Sequence, residues 1–164
     1  MKLIPLTQGK FAMVDDEDYE WLNQWKWHYH SKGYAARSVK ISKRVKLILM
    51  HRIIIKNCDS FLIDHIDRNR LNNKKENLRI CTRSENYFNA IKHFDNRSGF
   101  KGVHFNLRHK KWYARIQFYK KRLWLGHYTT KEGAARAYNK AALKYHGGFA
   151  RLNFIEKGES NGMD

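Results

Sequence analysis

Apolar and polar residues alternate with a period of two in three stretches between residues 103 and 125. The apolar positions are Val103, Phe105, Leu107, Trp112, Ala114, Ile116, Phe118, Leu123 and Leu125. Breaks at residues 108–111 and 119–121 separate the stretches. Because this period is typical of half-buried strands, the pattern predicts a three-stranded antiparallel sheet. The polar face of that sheet would carry His104, Asn106, Arg108, Arg115, Gln117, Arg122 and Trp124.

The spacing of apolar residues then changes to that of a helix. The positions are Ala134, Ala137, Tyr138, Ala141 and Tyr145. Thr129 and Glu132 have the spacing of a capping box, which predicts Thr129 as the N-cap, and Gly147-Gly148 is expected to end the helix. The small alanine side chains would let this helix lie close to the sheet.

A second set of elements is predicted in the middle of the chain. Residues 61–66 and 77–81 favour two short paired strands, and a helix is expected from Arg83 to about His93. Thr82 and Glu85 form a capping-box pattern at its start. The prediction is therefore two strands packed on one helix.

The N-terminal third is less informative. Strands are predicted at residues 10–14, 25–30 and 34–40, with a short helix capped by Asp15, and residues 45–49 lead into the central part of the chain. His28 and His30 alternate with aromatic residues, but no carboxylate or cysteine is near them in sequence. We therefore favour a basic-aromatic DNA-contacting surface or an ordinary sheet over a metal site.

Charge narrows the class of partner. The 33 Lys and Arg residues exceed the 15 Asp and Glu residues, so the formal net charge is +18 and the pI is near 10.0. Residues 21–58 and 96–131 contain no acidic residue. Such stretches bind phosphate with a steep salt dependence. A polyanion partner is indicated, although a basic soluble surface or a ribosome-associated protein would have the same charge.

The predicted strands and helices together make an α+β protein of small modules, and 164 residues could hold one ordinary domain or two small ones. The expected segments are an N-terminal region at 1–49, a central module at 50–95, a sheet-and-helix module at 96–156 and a tail at 157–164. Cys58 and Cys81 form no CxxC pair, so we expect reduced structural thiols in an intracellular protein. A signal peptide, a membrane span and a membrane partner are not expected.

Residues 64–89 carry the candidate chemistry. Asp64 and His65 are adjacent, and Asn77 and Asn86 follow on the second strand and the helix. A carboxylate and an amide oxygen suit a hard cation, and an imidazole can accept a proton from water near neutral pH. This set favours metal-assisted cutting of a phosphodiester. Ordinary Asn- and Asp-rich turns are the structural alternative.

These residues, with the lead-in Met50-His51-Arg52-Ile53-Ile54, resemble the HNH homing endonucleases, whose fold is the ββα-metal motif. The likeness spans about residues 50–90. It implies that Asp64 and Asn86 hold a divalent metal, magnesium or manganese, and that His65 is the general base. Asn77 would brace the loop between the strands, and His51 would touch phosphate or support the fold. Asn72, Asn73 and Asn89 match recurrent positions without an assigned role. No small-molecule cofactor is implied.

The C-terminal module resembles the ethylene-response-factor (apetala-type) DNA-binding domain over residues 98–155. The matching positions are Gly102-Val103, Trp124-Leu125-Gly126, Ala134-Ala135, Ala137-Tyr138 and Leu152-Asn153-Phe154. The resemblance implies that the polar face of the sheet enters the major groove of double-stranded DNA. The plant pattern has arginine where this chain has His104 and Asn106, so its base preference does not carry over. We expect Trp112 to pack in the core and Trp124 to contact DNA.

Together the motifs predict a metal-dependent, site-preferring DNA endonuclease of the HNH homing type. A phage or other mobile element is the source that the resemblance suggests, and the cytoplasm of a host cell is the expected location. The rival hypotheses are a DNA-binding regulator with a vestigial nuclease motif and an RNA-binding protein. Whether the protein is a monomer or a dimer stays open.

Overall fold

The computed structural model describes residues 1–56, 60–91 and 95–155. The chain forms two compact units, Met1–Asn86 and Tyr87–Asp164. The described strands are β1 Lys2–Pro5, β2 Phe11–Val14, β3 His28–Tyr29, β4 Ala35–Ile41, β5 Arg44–Leu49, β6 Leu62–His65, β7 Leu78–Cys81, β8 Val103–Asn106, β9 Lys111–Phe118 and β10 Lys121–Tyr128. The described helices are α1 Asp16–Leu22, α2 Met50–Ile54, α3 Arg83–Asn89 and α4 Lys131–His146. The α+β class is confirmed, and the division into four segments stays a prediction.

The first unit is built from small antiparallel sheets around one core. β1 pairs with β2, and a second sheet has the order β3-β4-β5. Ile4, Val14, Leu22 and Met50 are fully buried in this core. Asp15 precedes α1 as expected, but its side chain does not cap the helix and instead accepts the backbone N–H of Lys75 at 2.8 Å.

The strand predicted at residues 25–30 is shorter than expected. Only His28–Tyr29 pairs with β4. Trp27 is buried and its indole N–H donates to the carbonyl of Leu22 at 2.8 Å. Trp25 lies under the guanidinium of Arg37, 3.8 Å from its ring centroid. Side-chain packing of the two indoles therefore replaces ladder pairing at the start of the segment.

The two central strands and their helix are present in the first unit and at its end. β6 pairs antiparallel with β7, with Asp64 opposite Arg79 and His65 opposite Leu78. The capping box is formed: the Thr82 N–H donates to Glu85 at 2.8 Å, and the Glu85 N–H donates to the Thr82 hydroxyl at 3.2 Å. The described helix ends at Asn89. The prediction of a helix to about His93 is too long, because Ala90 and Ile91 are described and lie outside the helix. His93 and Cys58 fall in residues 92–94 and 57–59, which lie outside the described residues.

Cys81 is a buried free thiol at the end of β7. Burial raises its pKa from 9.0 to about 11, and the Asp64 carboxylate adds to the shift. The thiol is therefore protonated and unreactive at neutral pH, as its predicted structural role requires.

The second unit contains the predicted three-stranded sheet, in the order β10-β9-β8, with α4 on its apolar face. Val103, Ala114 and Ile116 of the sheet are buried against Ala134 and Tyr138 of the helix. Small side chains on both surfaces allow this close approach. Leu107 does not follow the predicted pattern: it lies beyond the end of β8 and is 84% exposed.

The N-cap of α4 is Thr130, so the prediction of Thr129 is wrong. The Thr130 hydroxyl accepts the N–H of Gly133 at 3.0 Å. Thr129 and Glu132 have the spacing of a capping box, but the helix begins one residue later than that spacing predicts. Gly147, with φ 52°, ends the helix as predicted.

Asn153 closes the second unit through its side chain. Its amide oxygen accepts the N–H of Lys101 at 2.6 Å, and its amide nitrogen donates to the Lys101 carbonyl at 3.0 Å. Its backbone exchanges two further bonds with the Asn139 side chain, at 2.7 and 2.9 Å. We call these contacts of Lys101, Asn139 and Asn153 the asparagine clasp. It gives a physical reason for the Leu152-Asn153-Phe154 motif.

Lys101 also holds the end of α3. Its ammonium donates to the carbonyls of Phe88 and Ala90 at 2.6 and 2.7 Å. Burial, with a smaller effect from Arg151, lowers its pKa from 10.5 to about 8. A cation at a helix C-terminus satisfies carbonyls that have no partner inside the helix. In the described ranges no helix is long and apolar enough to cross a membrane.

Candidate functional site

Asp64 is held by an ion pair on the strand where the sequence places it. Asp64 is 6% exposed, and its oxygen Oδ2 accepts Nε and Nη2 of Arg79 at 2.9 and 2.7 Å. The two residues are directly opposite each other in the β6–β7 register. Because a buried carboxylate without a partner is costly, this ion pair with Arg79 compensates for the burial of the Asp64 side chain.

The loop between β6 and β7 is organised by Asn77. Its Nδ2 donates to Asp67 Oδ1 at 2.9 Å and to the carbonyl of Asn72 at 2.8 Å, and its Oδ1 accepts the Asp67 N–H at 3.0 Å. Asn72 donates to the other Asp67 oxygen at 2.7 Å. Burial alone would raise the pKa of Asp67, but the bonds from Asn72 and Asn77 outweigh it and lower that pKa below 3.8. The Asp67 carboxylate thus connects the start of the loop to Asn72 and Asn77 at its other end.

His65 lies in a group of three rings, with His51 and Tyr34. The His51 and His65 centroids are 5.2 Å apart with an interplanar angle of 90°, and the Tyr34 ring is 5.1 Å from His51 and 6.0 Å from His65. Both histidines are buried. We call these three side chains the ring cluster. It joins the end of β6, the start of α2 and the turn before β4.

Both histidines of the ring cluster are neutral at physiological pH. Burial, the nearby His65 and Arg52 lower the pKa of His51 to about 3. Burial also lowers the pKa of His65 below 6.5, although Asn73, Asp67 and Asp64 act in the opposite direction. A neutral imidazole is the form that can accept a proton. The neutral His51 therefore carries no positive charge that could bind a phosphate.

Asn86 lies in the first turns of α3 and its side chain is exposed to solvent. Asp64 and Asn86 together offer one carboxylate and one amide oxygen. This donor set fits a hard divalent cation that takes its remaining ligands from water and phosphate. Among the residues that the structure describes, no group of three or more His, Cys, Asp and Glu side chains is arranged to hold a metal.

In the second unit, cross-strand pairing puts most of the predicted polar residues on one face of the sheet. His104 is opposite Tyr113, Arg115 is opposite Trp124, and Gln117 is opposite Arg122. Arg115 Nε donates to His104 Nε2 at 3.2 Å. Arg108 lies beyond β8 and is exposed.

Aromatic rings give this face a flat centre. Trp124 is 55% exposed and stacks on Tyr113, with centroids 4.9 Å apart and an interplanar angle of 22°. Trp112, by contrast, is half-buried and packs with the core, as predicted. Asn106 has a local role, since its Oδ1 accepts the N–H groups of Arg108 and His109 in the turn after β8.

Sequence reasoning did not single out Tyr34, Arg79 or Tyr113. The β6–β7 register, once drawn, would have placed Arg79 opposite Asp64, and the alternation would have placed Tyr113 beside Trp124. Tyr34 had no such signal, because it reaches His65 only through the tertiary fold.

Comparison with known proteins agrees with this geometry. A family model described as HNH endonuclease matches residues 49–87, which contain α2, β6, β7 and most of α3. An uncharacterized HNH endonuclease of Acanthamoeba polyphaga mimivirus is 30% identical over 156 residues, 94% of this chain and 80% of the viral protein.

Part of the chain is also similar to plant transcription factors. An ethylene-responsive transcription factor of Arabidopsis thaliana is 48% identical over 59 residues, 35% of this chain and 32% of the plant protein. An AP2-like ethylene-responsive transcription factor of the same plant is 40% identical over 58 residues, 35% of this chain and 12% of that protein. No solved structure shows a significant match. Since the viral relative is similar along nearly the whole chain and the family model covers the Asp64-His65 motif, this protein belongs to the HNH endonuclease family.

Proposed function

We propose that this protein is a divalent-metal-dependent endonuclease of the homing type, which hydrolyses phosphodiester bonds in duplex DNA at preferred sites. The observation that carries the proposal is the packing of the buried His65 against a second buried histidine, next to Asp64, which is paired with Arg79. Both residues lie in the segment that matches the HNH family model.

Each residue has a role that its surroundings support. Asp64 and Asn86 hold the metal, which when bound stabilises negative charge on the phosphate and the leaving oxygen. An imidazole nitrogen of His65 accepts a proton from the attacking water. Asn77 fixes the loop through Asp67. His51 supports the His65 ring and, since its pKa of about 3 keeps it neutral, does not act as a phosphate-binding cation.

The decisive experiment is a cutting assay with supercoiled plasmid. We expect nicked or linear DNA in magnesium or manganese and intact plasmid in excess chelator. A library of random duplexes, cut and sequenced, serves as a second substrate in case the plasmid has no target site. Clear duplex binding without cutting of either substrate in either metal would refute the nuclease and favour the regulator with a vestigial motif.

The polar face of the β8–β10 sheet is the proposed docking surface for DNA. It combines the exposed Trp124, the pair Arg115 and His104, and the exposed Arg122 on a unit without acidic residues from 96 to 131. Aromatic and cationic side chains on strands are suited to a groove of duplex DNA. The partial similarity to plant transcription factors supports this assignment.

Replacement of Arg122 by alanine tests the docking surface. We expect binding to duplex DNA to weaken by roughly 1–3 kcal/mol. The slope of log affinity against log salt concentration should become less steep by about one. Arg136→Ala is the matched control, because Arg136 is also exposed but lies on α4. Equal effects of the two substitutions, measured by fluorescence anisotropy over a salt series, would contradict a specific role for the sheet.

A further inference from the structure

The ring cluster contains a side chain from the N-terminal region, outside the segment that matches the HNH family model. Tyr34 precedes β4, yet its ring lies 5.1 Å from His51 and 6.0 Å from His65. The family match begins only at residue 49. We propose that Tyr34 is a positioning residue of the nuclease, which holds the ring of the general base His65 in its working orientation. This proposal rests on the proposed function.

The turn that presents Tyr34 is fixed on both sides. The His30 N–H donates to the Tyr34 carbonyl at 2.9 Å, and the Gly33 N–H donates to the His30 carbonyl at 2.7 Å. Gly33 has φ +84°, a conformation that other residues rarely adopt. The position of Tyr34 is therefore set by backbone bonds and not only by contacts of its ring.

Arg70 ties this turn to the β6–β7 loop. Its guanidinium lies 4.8 Å from the centroid of the Tyr34 ring, and its Nη1 donates to the carbonyl of Lys32 at 2.5 Å. The loop that Asn77 organises and the turn that carries Tyr34 are thus connected by one side chain. A cation over an aromatic face is an attractive contact, so Arg70 favours one arrangement of the Tyr34 ring.

The three rings limit the freedom of His65. His51 meets it edge to face at 90°, and Tyr34 contacts both imidazoles at a tilt. The Nδ1 atom of His51 is buried and has no hydrogen-bond partner within the described part of the chain. His51 is therefore oriented mainly by packing, while His65 also has a hydrogen bond with Asn73. Removal of Tyr34 would take one ring contact away from each imidazole. Misplacement of a reacting group by about 1 Å can cost about a hundredfold in rate.

Single-turnover cutting with enzyme in excess tests the proposal. We expect Tyr34→Leu to slow the cutting step roughly tenfold or more while the affinity for DNA is unchanged, and Tyr34→Phe, which keeps the ring, to restore most of the rate. Tyr19→Leu is the matched control, because Tyr19 is also half-buried in the first unit but packs on the core from α1 instead of on the histidines. An equal loss of rate in Tyr19→Leu would show a purely structural effect.

A second readout does not depend on cutting. Nuclear Overhauser contacts between the ring protons of His51 and His65, measured in metal-free full-length protein, should change in Tyr34→Leu and be kept in Tyr34→Phe and Tyr19→Leu. These contacts report the relative orientation of the two rings, whereas their chemical shifts would change merely because the Tyr34 ring current is lost. If Tyr34→Leu does not fold, Arg70→Gln takes its place, and a smaller change in the same contacts is expected. Unchanged contacts between the two rings in the folded variant would overturn the proposal.

The outcomes separate the two proposals. A wild-type protein that cuts, a His65→Ala variant that does not, and a Tyr34→Leu variant at the normal rate would leave the nuclease intact and reject the positioning role. A wild-type protein that binds but does not cut would reject the nuclease and with it the positioning role, and the NMR signals would then report only how the rings pack.

Discussion

Replacement of His65 by alanine is expected to slow DNA cutting by about 10²–10⁴-fold, the usual contribution of a general base. The imidazole is neutral because burial lowers its pKa, and it lies next to Asp64 on β6. Alanine removes the proton acceptor without removing any charge that binds DNA. Affinity for duplex DNA, measured without divalent metal, should therefore stay close to that of the wild type.

The matched control is His28→Ala, which removes a histidine from β3 in the same unit. With protein in saturating excess, its rate of cutting bound DNA should equal that of the wild type, whether or not His28 contacts DNA. His65→Gln should be as slow as His65→Ala, because glutamine can make hydrogen bonds but cannot take up a proton. A His65→Ala variant that cuts at the normal rate would show that another group is the base.

The second large effect is expected on stability, from Gly102→Ala. Gly102 has φ +74°, and a Cβ atom there would lie 2.2 Å from the Tyr138 ring and 2.6 Å from the Arg115 carbonyl. Tyr138 is 2% exposed, so its ring has little room to move. Backbone strain and overpacking together should cost about 2–5 kcal/mol.

Hydrogen exchange followed by mass spectrometry can locate this loss in the second unit. Peptides from β8, β9 and β10 should exchange faster in Gly102→Ala, while those from β6 and β7 keep their protection. Gly148→Ala is the control, since a Cβ atom there would meet nothing within 4 Å. Unchanged protection of β8–β10 in Gly102→Ala would mean that the sheet moves to accept the methyl group.

The sequence predicted the helices and strands better than it predicted which residues contact one another in the fold. Period-two alternation identified β8, β9 and β10 because one face of each strand packs toward α4. The Thr82 capping box was correct because the Glu85 side chain accepts the Thr82 N–H while the Thr82 hydroxyl accepts the Glu85 N–H. At α4 two adjacent threonines offered two caps, and only the fold selects Thr130. The strand at residues 25–30 was overestimated because two indoles pack into the core there.

The candidate site was predictable where its residues are close in sequence. Asp64 and His65 are adjacent in sequence, and Asn77 bonds to Asp67, two residues after His65. Motif spacing was therefore sufficient to predict that these residues lie close together. Tyr34 lies about thirty residues before His65, and Arg70 reaches back to the Lys32 carbonyl. No periodicity encodes such contacts, because they depend on how separate sheets pack.

The asparagine clasp sets the C-terminal boundary that the second unit needs when it is transferred into a fusion protein. The Lys101 peptide group is paired by the amide of Asn153, 52 positions later, in the way that a neighbouring strand would pair it. A shortened version that stops after α4 would leave both of these backbone groups without their partner. A portable version of this unit must therefore extend past Asn153, and a fusion partner joined directly to His146 would replace the residues that close the fold.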